Sequence, residues 1–181
     1  MAGRKKTHPF IWPLAATAAL LVALVVAIGA RLETGAPPGL QAEPFAHLLG
    51  RPAPDFTLPG LDGKPVSLAS VEGAEAWLLY FTDAACGACE AAYPAVEEAA
   101  GLLPLVAIGT GDPDLLQAHL GEAAAAIGHD PGESVHRLYD VRSVPSALLI
   151  DRRGVVRHAA TGSRSITEVV AAWNDSERGG R

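Results

Sequence analysis

An apolar run that leads into two closely spaced cysteines constrains the fold more than any other feature of this sequence. The run, Ala76 to Thr82 (AWLLYFT), is nearly continuous, which is typical of a strand buried on both faces of a mostly parallel sheet. Cys86 and Cys89 follow it, and apolar residues then recur at helical spacing from Cys86 to Leu103. The sequence therefore predicts a buried strand, a short loop and a helix, with the cysteines at the junction.

Strand and helix patterns alternate along the rest of the chain. The other predicted strands are Phe56 to Leu58 and Pro65 to Leu68, which form a hairpin, and Leu105 to Ile108, Ala124 to Ile127, Ala147 to Ile150 and Val155 to Ala159. The other predicted helices are Pro113 to Leu120, Ser134 to Tyr139 and a last helix that begins at Ser165. This alternation predicts an α/β fold with helical crossovers.

Two of these helices carry residues with special geometry. Pro94 lies inside the helix after the cysteines and should kink it, because proline has no N–H to donate. Ser165 and Glu168 have the spacing of a capping box, in which the serine accepts a hydrogen bond from the N–H three residues on.

The N-terminal region contains a candidate membrane span. Residues 10–30 include no charged residue and are long enough to cross a hydrocarbon core of about 30 Å. The Arg4-Lys5-Lys6 cluster before them favours a cytoplasmic N-terminus and export of the remainder. A cleaved signal peptide is the alternative, but the run is longer than the apolar core of such peptides. We predict a single-pass anchor in the inner or plasma membrane, with a periplasmic or otherwise extracytoplasmic domain.

The chain thus divides into five predicted parts. They are a basic cytoplasmic N-terminus at 1–9, the anchor at 10–30, a linker rich in Pro, Gly and Ala at 31–47, a folded domain at 48–174 and a flexible tail at 175–181.

The charge distribution argues against a nucleic-acid partner. All 20 acidic residues, but only 11 of the 14 basic ones, lie beyond position 30. A strongly acidic domain repels a phosphate backbone, so we expect no binding to DNA or RNA.

The Cys86-Gly87-Ala88-Cys89 motif predicts thiol-disulfide chemistry. A cysteine at a helix N-terminus is easily ionised, because unpaired N–H groups and the helix dipole stabilise its thiolate. Cys86 is therefore the predicted nucleophile and Cys89 the thiol that resolves the mixed disulfide. Gly87 and Ala88 are small enough to let a partner approach. A static disulfide and half of a metal site remain alternatives, although the sequence has no second CxxC motif.

The sequence resembles the thioredoxin superfamily, and within it the membrane-tethered TlpA/ResA-like group. Three features carry the resemblance: the PAPDFTLPGLDGKPVSL segment, the CGAC motif with Pro94 after it, and Ser143-Val144-Pro145-Ser146 before a strand and an RRG turn. The resemblance implies a thioredoxin fold, a central mixed sheet flanked by helices with an N-terminal β-hairpin. It also implies that Pro145 is cis and faces the cysteines, and that the Val144 backbone binds a substrate strand.

The same resemblance implies a functional setting. Members of this group use their redox-active disulfide without a further cofactor or metal. They reduce selected disulfides of exported proteins, such as apocytochrome c or copper-site proteins, and are recharged by a membrane thiol donor of the CcdA/DsbD type. The expected partners are therefore protein thiols and disulfides, this donor and the membrane. The direction of exchange is not fixed by the motif, because thioredoxin-fold proteins span roughly −270 to −120 mV.

Several positions depart from the family pattern. Ala85 replaces the tryptophan that usually precedes the first cysteine, and Tyr80 and Ala92 occupy the places of the acids that handle protons in thioredoxin and in the ResA-like group. Asp83 is a possible substitute for those acids, although a loop aspartate is more often a turn residue or a cap.

Two other classes of protein share parts of the pattern. A peroxiredoxin-like peroxidase has a similar APDFTLPGLDGK segment, but its Pro-x₃-Thr-x₂-Cys motif would need Pro at Leu79 and Thr at Asp83. A copper-delivery module of the Sco type would use both thiolates and a histidine, with His129 as the candidate ligand. Such modules, however, have three residues between their cysteines, whereas this sequence has two. A purely structural CxxC domain is a third possibility.

Overall fold

A mixed β-sheet forms the centre of the computed structural model, which describes residues 44–71 and 73–179. Its strands are β3 (Ala76–Asp83), β4 (Leu105–Thr110), β5 (Ala126–His129), β6 (Ser146–Asp151) and β7 (Val156–Thr161). Two shorter strands, β1 (Thr57–Pro59) and β2 (Pro65–Ser67), form a separate hairpin. The order across the sheet is β5-β4-β3-β6-β7. β4 runs parallel to β3 and β5, whereas β6 runs antiparallel to β3 and β7. This is a thioredoxin-like fold, as the family resemblance implied.

Helices and a hairpin cover the two faces of this sheet. The helices are α1 (Gly87–Ala100), α2 (Pro113–Leu120), α3 (Ser134–Leu138) and α4 (Ser165–Gly179). Buried residues of α1, α2 and α4 share one cluster with the sheet, while Val135 of α3 and Leu58 of the hairpin belong to the cluster on the other face. The functional site lies where β3 meets α1.

Strand β3 is buried on both faces, which confirms the prediction from its apolar run. Every residue from Ala76 to Thr82 is buried. Side chains alternate along a strand, so Leu78 and Tyr80 enter the cluster with α1 whereas Leu79 and Phe81 enter the opposite one.

The predicted hairpin is also present. Strands β1 (Thr57–Pro59) and β2 (Pro65–Ser67) pair antiparallel, with Leu58 opposite Val66, and a 3₁₀ turn at Leu68–Val71 follows.

The folded unit begins earlier than the sequence predicted. The described residues at the end of the predicted 31–47 linker pack against the core of the domain. Phe45 is only 5% exposed and packs in the core with Leu48. The sequence analysis missed this because a single aromatic residue among Pro, Gly and Ala has no periodicity.

The predicted membrane span at 10–30 lies outside the described residues. Across 44–71 and 73–179, no helix combines the length and the apolar character needed to cross a bilayer.

Two element boundaries differ from the predictions. α1 contains Pro94 and ends at Ala100 rather than Leu103, with Gly101 as its C-cap residue. β5 begins at Ala126 rather than Ala124, because the Ala124 N–H still bonds to Leu120 at the end of α2.

The last helix differs at both ends. The predicted capping box is wrong: Ser165 Oγ is buried without a partner in the described structure, and the Glu168 N–H donates to the Arg164 carbonyl. The helix also continues through residues 175–179, where the sequence predicted a flexible tail. No proline interrupts this stretch, and Ser176 Oγ donates to the Trp173 carbonyl.

Candidate active site at Cys86 and Cys89

The two cysteines form a disulfide at the N-terminus of α1, with their Cα atoms 5.2 Å apart. Cys86 is the N-cap residue, with extended backbone (φ −90°, ψ 109°), and its Sγ accepts a hydrogen bond from the Cys89 N–H at 3.1 Å. A sulfur in this position replaces the oxygen of an ordinary capping side chain, so negative charge on it is stabilised by the unpaired N–H groups of the first turn.

The surroundings of the two sulfurs are unequal. Cys86 is partly exposed, and Gly87 and Ala88 beside it are exposed. A Cβ added at Gly87 would meet nothing within 4 Å, so the space above this loop is open. Cys89 is 0% exposed and packs in the α1 cluster.

The loop before β6 lies against the disulfide. The Val144 carbonyl oxygen is 3.8 Å from Cys86 Sγ, and the Val144–Pro145 peptide bond is cis, as the family resemblance implied. Pro145 is buried, and its carbonyl accepts from the Gly162 N–H at 2.7 Å. The structure thus brings Val144 next to Cys86, although the two are 58 residues apart in sequence.

Asp83 organises the loop that carries Cys86. Its Oδ1 accepts from the Ala85 N–H at 2.9 Å and its Oδ2 from the Thr110 hydroxyl at 2.5 Å, while its carbonyl accepts from the Cys86 N–H. Both carboxylate oxygens are therefore occupied by the loop and by β4. The sequence did not identify Thr110, because contacts across parallel strands leave no local pattern.

The places of the two missing acids are filled by buried residues. Tyr80 is 0% exposed and Ala92 is 1% exposed. Burial raises the pKa of the Tyr80 hydroxyl, and the nearby Tyr93 raises it further, so Tyr80 stays neutral at ordinary pH. The sequence comparison showed that Tyr80 stands in place of an acid. It did not show that Thr82 and Tyr93 place two more hydroxyls near Tyr80.

The predicted copper ligand, His129, lies at the end of β5. His129 Nε2 is 3.0 Å from the Gly111 carbonyl oxygen, at the end of β5. Among the residues that the structure describes, no group of three or more His, Cys, Asp or Glu side chains could hold a metal ion. The donor set of a copper module is therefore not gathered around the cysteines here.

A groove runs from the site along the loop before β6. It is lined by Asp83, Thr110, Glu133, His136, Val141, Arg142, Ser143 and Val144. One lining residue, His136, belongs to a buried pair that the sequence analysis missed, in which its Nδ1 lies 2.9 Å from Asp130 Oδ2.

Comparisons with known proteins place these features in a family. Residues 49–159 match the AhpC/TSA family. The chain is 26% identical over 169 residues to the methylamine utilization protein MauD of Paracoccus denitrificans, covering 89% of this chain and 82% of that protein. It is 28% identical over 159 residues to the thiol-disulfide oxidoreductase ResA of Geobacillus kaustophilus, covering 83% and 88%.

A solved structure agrees with the sequence relatives. The crystal structure of a thiol:disulfide interchange protein DsbE from Chlorobium tepidum, described as putative, superposes with a TM-score of 0.54 at 29% identity, covering 68% of this chain and 96% of that one. The likeness thus extends over nearly the whole of that chain.

Proposed function

Because the chain belongs to the AhpC/TSA family and is a thioredoxin-like thiol-disulfide oxidoreductase, we propose that it reduces selected disulfides of exported proteins. Cys86 is the attacking thiol and Cys89 the resolving thiol. The observation that carries this proposal is the unequal exposure of the two cysteines. Cys86 is partly exposed at the start of a helix, whereas Cys89 is 0% exposed one turn later.

The exchange begins at Cys86. Its thiolate attacks one sulfur of a substrate disulfide, which forms a mixed disulfide and releases the other substrate sulfur as a thiolate. The Cys89 thiolate then attacks Cys86 Sγ, which closes the Cys86–Cys89 disulfide and releases the second substrate thiolate. Two electrons pass from the protein to the substrate.

Val144 and Pro145 supply the substrate-binding surface in this proposal. An extended substrate segment can hydrogen-bond to the Val144 backbone in the manner of an added β-strand. Its reacting sulfur would then sit beside Cys86 Sγ, which is 3.8 Å from the Val144 carbonyl. Exposed Gly87 and Ala88 leave room for the segment on the other side.

A donor must return the disulfide to the dithiol state. We propose a membrane thiol donor of the CcdA/DsbD type, with the chain held at the inner or plasma membrane by residues 10–30. The name of one relative, a thiol-disulfide oxidoreductase, supports disulfide exchange as the activity. Cytochrome c maturation is the role that we propose to test first.

Replacing the resolving thiol tests the proposal. Cys89→Ser should leave Cys86 able to attack but unable to close the internal disulfide, so disulfide-linked complexes should accumulate in cells. They are detected by non-reducing electrophoresis after acid quenching, and mass spectrometry identifies both substrate and donor.

Cys86→Ser is the matched control, because it keeps Cys89 buried and should trap nothing. If Cys86→Ser traps as many complexes as Cys89→Ser, the roles are assigned wrongly. If Cys89→Ser traps none, the chain does not exchange disulfides with proteins.

A further inference from the structure

Three polar atoms lie buried without a hydrogen-bond partner near α1. They are Tyr80 OH, Thr82 Oγ1 and His119 Nδ1. Leaving such a group unpaired costs roughly 1 to 3 kcal/mol, so a cluster of them calls for a functional or chemical reason. All three lie close to one aromatic residue, Tyr93, which the mechanism above does not use.

Two tyrosines, Tyr80 and Tyr93, share one buried cluster with the resolving thiol Cys89. Cys89 and Tyr93 are one helical turn apart on the buried face of α1, and helical side chains lean toward the N-terminus, which directs the Tyr93 ring toward Cys89. Tyr80 belongs to the same buried cluster. Thr82 lies on the same face of β3 as Tyr80, because side chains two residues apart in a strand point the same way. It is two residues nearer to the loop that carries Cys86.

The hydroxyls of Tyr80, Thr82 and Tyr93 are close enough to affect one another's ionisation. Burial raises the pKa of both tyrosines, while the Thr82 hydroxyl lowers the pKa of each. Neither Tyr80 OH nor Thr82 Oγ1 has a hydrogen bond of regular geometry in this disulfide state. Tyr93 is 8% exposed, and its ring stacks on His119 with centroids 4.7 Å apart, so the cluster reaches the surface between α1 and α2.

We propose that the hydroxyls of Thr82 and Tyr93, supported by that of Tyr80, conduct the proton of Cys89 to solvent and so replace the carboxylate that this chain lacks. This inference rests on the proposed function, because it concerns the thiol that resolves the mixed disulfide. The three residues are positioning residues for proton transfer, since the reacting atoms are the two sulfurs.

The step balances without ionising a tyrosine. Cys89 Sγ–H gives its proton to one hydroxyl, which passes its own proton on, and Tyr93 delivers a proton to water at the surface. The Cys89 thiolate then attacks Cys86 Sγ, the Cys86–Cys89 bond forms, and the substrate sulfur leaves as a thiolate.

A two-step colorimetric reaction isolates the resolving step. When the reduced full-length protein reacts with dithiobis(nitrobenzoate), the first nitrothiobenzoate is released as Cys86 is labelled, and the second as Cys89 attacks Cys86 Sγ. We expect Thr82→Val to slow the second release roughly tenfold to a hundredfold and to leave the first unchanged. Thr82→Ser, which keeps the hydroxyl, should restore the second release.

The pH profile separates proton transfer from a structural effect. In Thr82→Val and Tyr93→Phe, the rate of the second nitrothiobenzoate release should rise about tenfold per pH unit between about pH 5 and 8, because Cys89 must lose its proton directly to solvent. The wild-type profile should be shallower. The titratable groups that face Tyr93 are Tyr80 of β3, His119 of α2, and Asp83 and Glu90, which raise the pKa of Tyr93.

Tyr139→Phe provides the matched control on the opposite face of the sheet. It removes a buried hydroxyl that donates to the Pro54 carbonyl, so it should lower stability without changing the second release. The proposal is overturned if Thr82→Val releases the second group at the wild-type rate, or if it slows both releases equally. If the wild type itself never makes the second release, the proposed function fails instead.

Discussion

At the scale of single residues, one helical turn gives two identical thiols different chemistry. Cys86 lies at the N-cap, where the first-turn N–H groups favour a thiolate, and its sulfur faces the Val144 carbonyl. Cys89 is buried among mostly apolar residues, and such surroundings disfavour a charged thiolate. The accessible Cys86 therefore ionises easily and attacks first, whereas the buried Cys89 ionises later and resolves the mixed disulfide.

Asp83 belongs to this scale, and we expect it to hold the loop rather than to move protons. Asp83→Asn keeps an oxygen for the Ala85 N–H, so both releases of nitrothiobenzoate should stay within about twofold of wild type. Asp83→Ala loses the bonds to Ala85 and Thr110 and should lower the free energy of unfolding by roughly 1 to 3 kcal/mol. A large fall in the second release of Asp83→Asn would instead make this carboxylate part of the proton path. Urea denaturation and stopped-flow absorbance measure the two effects.

At the scale of elements, the short helix α3 depends on one buried carboxylate. Asp130 is 1% exposed and accepts hydrogen bonds from the N–H groups of Ser134, Val135 and His136, from the Ser134 hydroxyl and from His136 Nδ1. The His136 ring packs edge-on against Phe81 of β3 at 5.1 Å. Asp130 therefore links the groove beside the disulfide to the central strand.

This cap predicts a pH-dependent stability. Burial by itself raises the pKa of the Asp130 carboxyl, but the hydrogen bonds from His136 and Ser134 outweigh it and hold the pKa below its usual value. The contribution is therefore fully present above about pH 4 and is lost as the pH falls through the lower folded-state pKa. Asp130→Asn should cost about 3 kcal/mol near neutral pH, and less in acid.

Chemical denaturation at a series of pH values measures this difference. Asp114→Asn is the control, because Asp114 is an exposed carboxylate in the first turn of α2 and its loss should change stability little. A constant difference between wild type and Asp130→Asn down to about pH 2 would show that the ionised carboxylate is not what stabilises α3.

At the scale of the whole molecule, the described residues 44–71 and 73–179 hold every group that the proposed exchange uses. Two clusters of buried residues, one on each face of β3, make up the core of the unit that contains them. The thiol chemistry is therefore expected to be independent of the N-terminal residues, which we propose to determine only where the protein acts.

Deleting residues 1–42 separates these two roles. The full chain should sediment with membranes and resist alkaline carbonate, because residues 10–30 can span a bilayer of about 30 Å. The shortened chain should be soluble, and its two nitrothiobenzoate releases should match those of the full chain. Deleting only 32–42 is the control, since it shortens the predicted linker and should leave the protein in the membrane. A full chain recovered entirely in the soluble fraction would contradict the anchor.

The sequence by itself determined the order of the strands and helices, the hairpin, and the position of the CGAC motif between a buried strand and a helix. It could do so because periodicity, capping and turn residues act over a few neighbouring positions. The resemblance to the thioredoxin superfamily further predicted the cis peptide bond before Pro145. Only the tertiary structure placed Val144 beside Cys86, gave Asp83 its partner Thr110 and gathered Tyr80, Thr82 and Tyr93. Those contacts join residues far apart in the chain, so they depend on strand register and packing, which leave no local signal.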